Sequence, residues 1–331
     1  MIRHVAGAWW PLARDYDADV IILALDRLDD TREAIRSALG QTGVRRHVTV
    51  LDQGSTPEHL AGLVAAVAGR PDATLLSSDR NLGVAEGRNQ ASAFGCGRVI
   101  AGLDNDAVFA TPGTLAAMVA ALDEAPDLGA IGCRIVAYDS GCDDLSSWGY
   151  PHALLARAGE RFPATTFVGA GHAISRRTWA EAGGYDPRLF FCWEEYDFCL
   201  RAIAAGWRVE YRGDLAIRHK VSGEHRVAWS GTRWFHFVRN RLYIGRKYGG
   251  GWWGLTPRIA AYLVKGARNG LTWQTLRAIG AAVGLAAGAP RRVLPPAVGL
   301  YLRQHDAAYR GGLGHRARSE ILSRVGGTPT L

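Results

Sequence analysis

Four short apolar runs in the first 110 residues each end at an acid or an amide. "DVIILAL" (19–25) is followed by Asp26, "HVTVLD" closes on Asp52, "ATLLSS" (73–78) leads into Asn81, and "VIAGLD" closes on Asp104. Between them lie stretches with helical spacing. "TREAIRSALGQT" places Thr31 as an N-cap ahead of Ile35 and Leu39, and further helices are expected at 57–69 and 86–95. Runs of this length alternating with helices predict a doubly wound, mostly parallel sheet. Ligands of such sheets bind at the carboxyl ends of the strands, where these polar residues fall.

The fourth run raises a separate question. "VIAGLDNDAVFA" (99–110) carries Asp104 and Asp106 between apolar residues, and buried carboxylates are costly without a partner. Residues i and i+2 of a strand share a side, so a strand running through both acids turns them to one point. Oxygen ligands suit Mg²⁺ or Mn²⁺, and Mg²⁺ fills its shell with water and substrate phosphates. A divalent cation holding a diphosphate is one reading, and a capped turn is the other.

Charge is unevenly placed. Residues 239–331 hold 15 Lys/Arg and 2 Asp/Glu, while the rest of the 39 basic and 31 acidic residues give 1–238 a net charge of −5. "PRIAAYLVKGARNGL" (257–271), with Thr256 as N-cap and Pro257 opening the helix, and "TWQTLRAIGAAVGLAAG" (272–288) read as basic-faced helices. Arg258, Lys265, Arg268 and Arg277 stand among apolar residues with Trp252, Trp253 and Trp273. That pattern suits an anionic membrane surface, or helices packed on the rest of the chain or on a second subunit. Nucleic acid is not expected, because no recognised module or extended basic groove accompanies the tail. Five cysteines without a C-x-x-C pair, no signal-peptide h-region and no bilayer-length apolar run set the expectation of a cytoplasmic protein, peripheral at most on the inner face of the membrane.

Five pieces in order resemble family 2 glycosyltransferases of the GT-A fold, and more narrowly the rhamnosyltransferase-like members of bacterial polysaccharide assembly. They are "VIILALDR" (20–27), "VLDQGS" (50–55), "NLGVAEGRNQA" (81–91), "LDNDAVF" (103–109) and "GGYDPRLFFCWEEYDFCLRAIAAGWRV" (183–209). The resemblance implies a catalytic domain over 1–238, with a nucleotide-binding half at about 19–110 and an acceptor half at about 111–238, followed by a helical extension over 239–331. It implies that Ala24, Asp26 and Asp52 line the nucleotide pocket. Asn81, Gly83, Arg88 and Asn89 would hold the loop over the nucleotide and diphosphate. Asp104 and Asp106 would be the D-x-D pair, with His219 completing the shell of an Mn²⁺ or Mg²⁺ ion or serving only structure. The Glu-Asp motif that contains the general base falls on Glu194 and Glu195, so the base at Glu195 is one methylene longer than the family's aspartate.

The implied reaction is inverting transfer of a sugar from a UDP- or dTDP-linked donor to a hydroxyl of a glycan or polyprenyl-linked saccharide. Such a reaction needs a cation on the leaving diphosphate and a separate carboxylate base. The acids of "WEEYDFCLRA" also fit the first turn of a helix, where the dipole favours them, and Asp197 and Arg201 are spaced to pair. Helix geometry alone does not separate Glu195 from Glu194. His172, among glycines, and Trp193 are the acceptor-side candidates, each equally suited to a structural role. Two other readings are a sugar-nucleotide-binding protein without transfer and a nucleotidyltransferase. The latter wants a glycine-rich basic loop where this chain has "ALDRLDD". Self-association is left open.

Overall fold

The computed structural model describes residues 1–9, 15–220, 231–312 and 314. In chain order the elements are β1 (Ile2–Gly7), β2 (Ala18–Ala24), α1 (Leu28–Leu39), β3 (Arg46–Asp52), α2 (Pro57–Val67), β4 (Ala73–Ser78), α3 (Gly83–Ser92), β5 (Val99–Asp104), β6 (Ala107–Phe109), α4 (Thr114–Glu124) and β7 (Leu128–Ala137). They continue through β8 (Arg161–Pro163), β9 (Gly171–Ser175), α5 (Arg176–Ala182), α6 (Glu194–Ala204), β10 (Arg208–His219), α7 (Gly231–Lys247), α8 (Trp252–Arg268), α9 (Thr272–Ala287) and α10 (Pro296–His305). Residues 313 and 315–331 of the basic tail lie outside the described residues.

One sheet runs β1-β4-β3-β2-β5-β9-β7-β10-β6, with β8 paired to β10. Strands β4, β3, β2 and β5 are mutually parallel, as expected of β-α-β units, and β7 and β10 form a further parallel pair. Antiparallel β9 joins these two parts, and β1 is an antiparallel edge. The parallel strands alternate inward residues between two cores. Val20, Ile22, Val48, Val50 and Leu75 share one core with residues of α1, α2 and α4, while Ile21, Leu51, Leu76 and Ile100 share the other with Ala91 of α3. Because β2 is flanked by β3 on one side and β5 on the other, the chain reverses its direction of winding there. That reversal opens the crevice at the carboxyl ends of β2 and β5.

Several local expectations change. Thr31 is not the N-cap of α1. The cap is Arg27, in the left-handed region, and the Thr31 hydroxyl donates to the Arg27 carbonyl at 3.0 Å. Pro257 does not open α8, which begins five residues earlier with Gly251 as its cap. The Trp253 carbonyl, which a residue-257 amide would otherwise serve, accepts from the Thr256 hydroxyl at 2.7 Å instead. The strand through "LDNDAVF" breaks after Asp104 into a turn, so Asp106 lies outside both β5 and β6.

Candidate active site

The register of β6 against β10 brings the first group together. His219 pairs with Ala107, and the Lys220 amide donates to the Asp106 carbonyl at 2.8 Å. His219 therefore sits beside the turn that carries Asp106, although the two residues are far apart in the chain. Its Nε2 lies 3.2 Å from Asp106 and its Nδ1 3.3 Å from Asp144. One ligand atom each from Asp104, Asp106 and His219 fall within 4.8 Å of one another. The two acids thus converge across a tight turn rather than along a strand. Two carboxylates and an imidazole form a donor set that a divalent cation fits, and Asp144 stands behind the histidine as an orienting partner. Burial disfavours charge on His219, but Asp106 and Asp144 outweigh it and raise the imidazole to about 9. Burial alone would raise Asp106, and His219 and Arg27 together hold it below its ordinary value.

Arg27 had no assigned role in the sequence. Its guanidinium contacts Asp106 at 2.6 Å and Asp30 at 2.8 Å. Both Asp26 and Arg27 have positive φ, 54° and 53°, and the Asp26 amide donates to Ser55 at 2.9 Å. This strained turn at the mouth of β2 aims Arg27 across the crevice. Ala24 is fully buried under it, whereas Asp26 is exposed. Asp52 is buried and accepts from the Ser77 hydroxyl and the Ser55 amide.

Arg88 joins the two halves. It projects from α3, is 3% exposed, and its Nη2 donates at 2.8 Å to both Asp104 and the Gly169 carbonyl. A Cβ at Gly169 would stand 2.5 Å from a Glu195 carboxylate oxygen and 3.5 Å from Arg88. Glu195 therefore faces Arg88 across a glycine that leaves no room between them. Asn81 accepts from the Gly83 amide and so shapes the start of α3. Asn89 pairs through both ends of its amide with the backbone of Tyr185, a pinning role rather than an exposed one.

Helix α6 separates its two leading glutamates, which sequence alone did not. Glu194 is 2% exposed, whereas Glu195 is partly open. Burial, with Glu195 beside it, pushes Glu194 well above the ordinary glutamate value; burial also raises Glu195, with Arg88 working against the rise. Since the fold raises Glu194, folded protein holds a proton that unfolded protein releases. Stability from this source is present at acid pH and lost as pH climbs from about 4.5 toward the raised value. Glu194→Gln is expected to flatten that loss. Melting temperatures of variant and wild type measured from acid to neutral pH check it, and parallel curves would count against it.

The loop entering α6 is strained and held from outside. Phe190, Cys192 and Trp193 all have positive φ. The Asn240 side-chain amide, on α7, lies within 2.7–2.8 Å of the carbonyls of Leu189, Phe191 and Cys192. Nothing local in the sequence marks Asn240 for this task. Trp193 packs against Phe237 and Arg241 of α7, and its indole N–H donates to the Phe237 carbonyl. His172 lies 1% exposed beneath the site, stacked on Phe167 and within 3.2 Å of Gly169 and Tyr185 atoms. Its ring is not open to an acceptor, which corrects the acceptor-side reading and favours the structural one.

Among known proteins, residues 19–184 match the model of glycosyl transferase family 2. The chain belongs to that family and is a glycosyltransferase; the nucleotidyltransferase reading is thereby set aside. Solved structures share the fold. The mannosyltransferase PcManGT from Pyrobaculum calidifontis, in complex with GDP-Man and Mn²⁺, superposes with a TM-score of 0.58 at 20% identity, covering 96% of this chain and 86% of that one. GalNAc-T7 with UDP, GalNAc and Mn²⁺ superposes at 0.57 and 13% identity, covering 92% of this chain and 58% of that one. No curated protein matches the sequence.

Proposed function

We propose that this glycosyltransferase moves a sugar, with inversion, from a UDP- or dTDP-linked donor to a hydroxyl of a glycan or polyprenyl-linked saccharide, in the manner of the rhamnosyltransferase-like members. The observation that carries this is the convergence of Asp104, Asp106 and His219 at the carboxyl ends of the strands, with Glu195 set apart beyond Arg88. The Mn²⁺ in both neighbouring structures supports the same reading.

Asp104, Asp106 and His219 hold a divalent cation, and one imidazole in the set favours Mn²⁺ over Mg²⁺. When bound, that ion neutralises charge gathering on the departing diphosphate. Asp26 and Asp52 border the nucleoside end, while Ala24 is buried beneath them and does not line the pocket, and Asn81, Gly83 and Arg88 border the phosphate side. Arg27 and Arg88 supply further positive charge there. Glu195 takes the proton of the acceptor hydroxyl as its oxygen attacks the anomeric carbon from the face opposite the diphosphate. Asn89 holds the Tyr185 backbone in place, Glu194 lies buried beside the base, and Trp193 borders the acceptor side. Domain 1–238 ends inside α7 on this division. We therefore place all of α7 with the catalytic unit and the extension after it.

Thermal shifts with UDP, dTDP and GDP, with and without Mn²⁺, test the donor class, since a ligand of the native state raises the melting temperature. No shift with any of them overturns the reading. Asp106→Ala is expected to weaken Mn²⁺ binding by about a hundredfold in a calorimetric titration, and Asp144→Asn by about tenfold through the histidine it orients. Unchanged Mn²⁺ affinity in the Asp106 variant would remove it from the site.

A further inference from the structure

Helices α8 and α9 form a hairpin closed by a three-residue turn, in which the Leu271 amide donates to the Gly266 carbonyl at 2.8 Å. They approach closely, since a Cβ at Gly266 would collide with Thr275. One side of the hairpin is fastened to α7. Trp234, Val238, Leu242, Ala278 and Ala282 are buried together, and the Trp234 indole donates to Thr275.

The opposite side is apolar and open. On α8, Trp253, Ala260 and Val264 are exposed at helical spacing, and on α9 so are Trp273, Leu276 and Val283. Trp253 is 89% exposed and Trp273 67%. Soluble surfaces rarely leave two tryptophans bare on adjacent apolar helix faces without a use for them. The hairpin itself, residues 252–287, contains four Lys/Arg and no Asp or Glu. Arg268 and Arg277 are exposed beside the stripe.

We propose that this hairpin lies flat on an anionic lipid bilayer, with the Trp253–Val264 and Trp273–Val283 stripes at the headgroup boundary. Tryptophan suits that boundary because its ring is apolar and its N–H stays wet. Arginines beside the stripe meet anionic headgroups. No helix among the described residues is long and apolar enough to cross a membrane, so the contact is interfacial. Charge also decides against a second copy of this chain. A two-fold contact through this face would set basic helices against themselves with no acid on them to pair. The inference is independent of the donor and acceptor proposed above, because its test reads binding alone.

The full-length protein is sedimented with vesicles of phosphatidylcholine, with and without phosphatidylglycerol. Wild type is expected to bind the anionic vesicles and to be released by salt. Trp253→Ser/Trp273→Ser should lose about tenfold or more in partitioning with an unchanged melting temperature, because both rings are exposed. Arg268→Glu/Arg277→Glu should lose binding to anionic vesicles as well. Wild type remaining in the supernatant, or the tryptophan variant binding as wild type does, overturns the proposal. So does a concentration-dependent dimer that the tryptophan variant abolishes, which would assign the stripe to self-association.

Discussion

Glu195→Gln is expected to lower kcat by about a thousandfold, within the range of roughly 10²–10⁴ that a positioned general base contributes. The variant keeps the size of the side chain and its place beside Gly169 and Arg88, so donor binding is expected to hold. Only the capacity to take a proton is removed. Glu194→Gln is the matched control. Glu194 is buried and held above the ordinary glutamate value by burial and by its neighbour, so an amide there replaces a group that already favours its neutral form. Glu195 is raised by burial too, against Arg88. The acid limb of kcat/KM is therefore expected above the ordinary carboxylate range and should vanish when Glu195 is replaced by glutamine. Equal loss in both variants, or full activity in Glu195→Gln, would require another base.

Lys247→Met is expected to cost about 3 kcal/mol of stability, the low end for removing one partner of a buried ion pair. The ammonium stands 2.8 Å from Asp186 and 2.7 Å from Asp197, and all three side chains are nearly or fully buried. Burial pulls Asp186 upward, and Lys247 with the Tyr243 hydroxyl reverses it and holds the carboxyl low. Arg201 and Tyr248 still serve Asp197 in the variant, which keeps the cost from rising further. Urea unfolding measures the difference. Adding Asp186→Asn should recover part of it, because the second change removes the buried carboxylate left without its cation. A loss well under 1 kcal/mol, on the scale of surface pairs, would show that the network is solvated.

The parallel half of the sheet was legible because buried strands read as short apolar runs and their ends as acids. Asp26, Asp52 and Asp104 mark those ends in the structure as in the sequence. Helix α6 was legible from its acidic first turn, and the Asp197–Arg201 pair forms as its spacing predicts. Strand β1 was not, because a half-exposed edge strand needs no apolar run. The site itself was only partly visible. Its acids carry a local pattern, but Asp144 reaches His219 from an irregular segment, and Arg27 reaches Asp106 through a left-handed turn that no glycine announces. Both contacts are made by sheet order and loop strain, which act between distant segments. Asn240 belongs to the same class, since the carbonyls it serves lie about fifty residues earlier.

Gly83 has a φ of +78°, and a Cβ there would stand 2.4 Å from the Phe190 carbonyl, which accepts from the Val84 amide at 2.6 Å. Main chain thus meets main chain where the start of α3 touches the loop that leads into Glu195. The spacing of the two loops is set at this point by atoms that every residue type shares, with Asn240 holding the carbonyls behind it. On the proposed assignment of the base, the walls of the cleft can be recut for another sugar or another acceptor while this contact keeps the span between the two loops. A side chain at residue 83 would force the two loops apart.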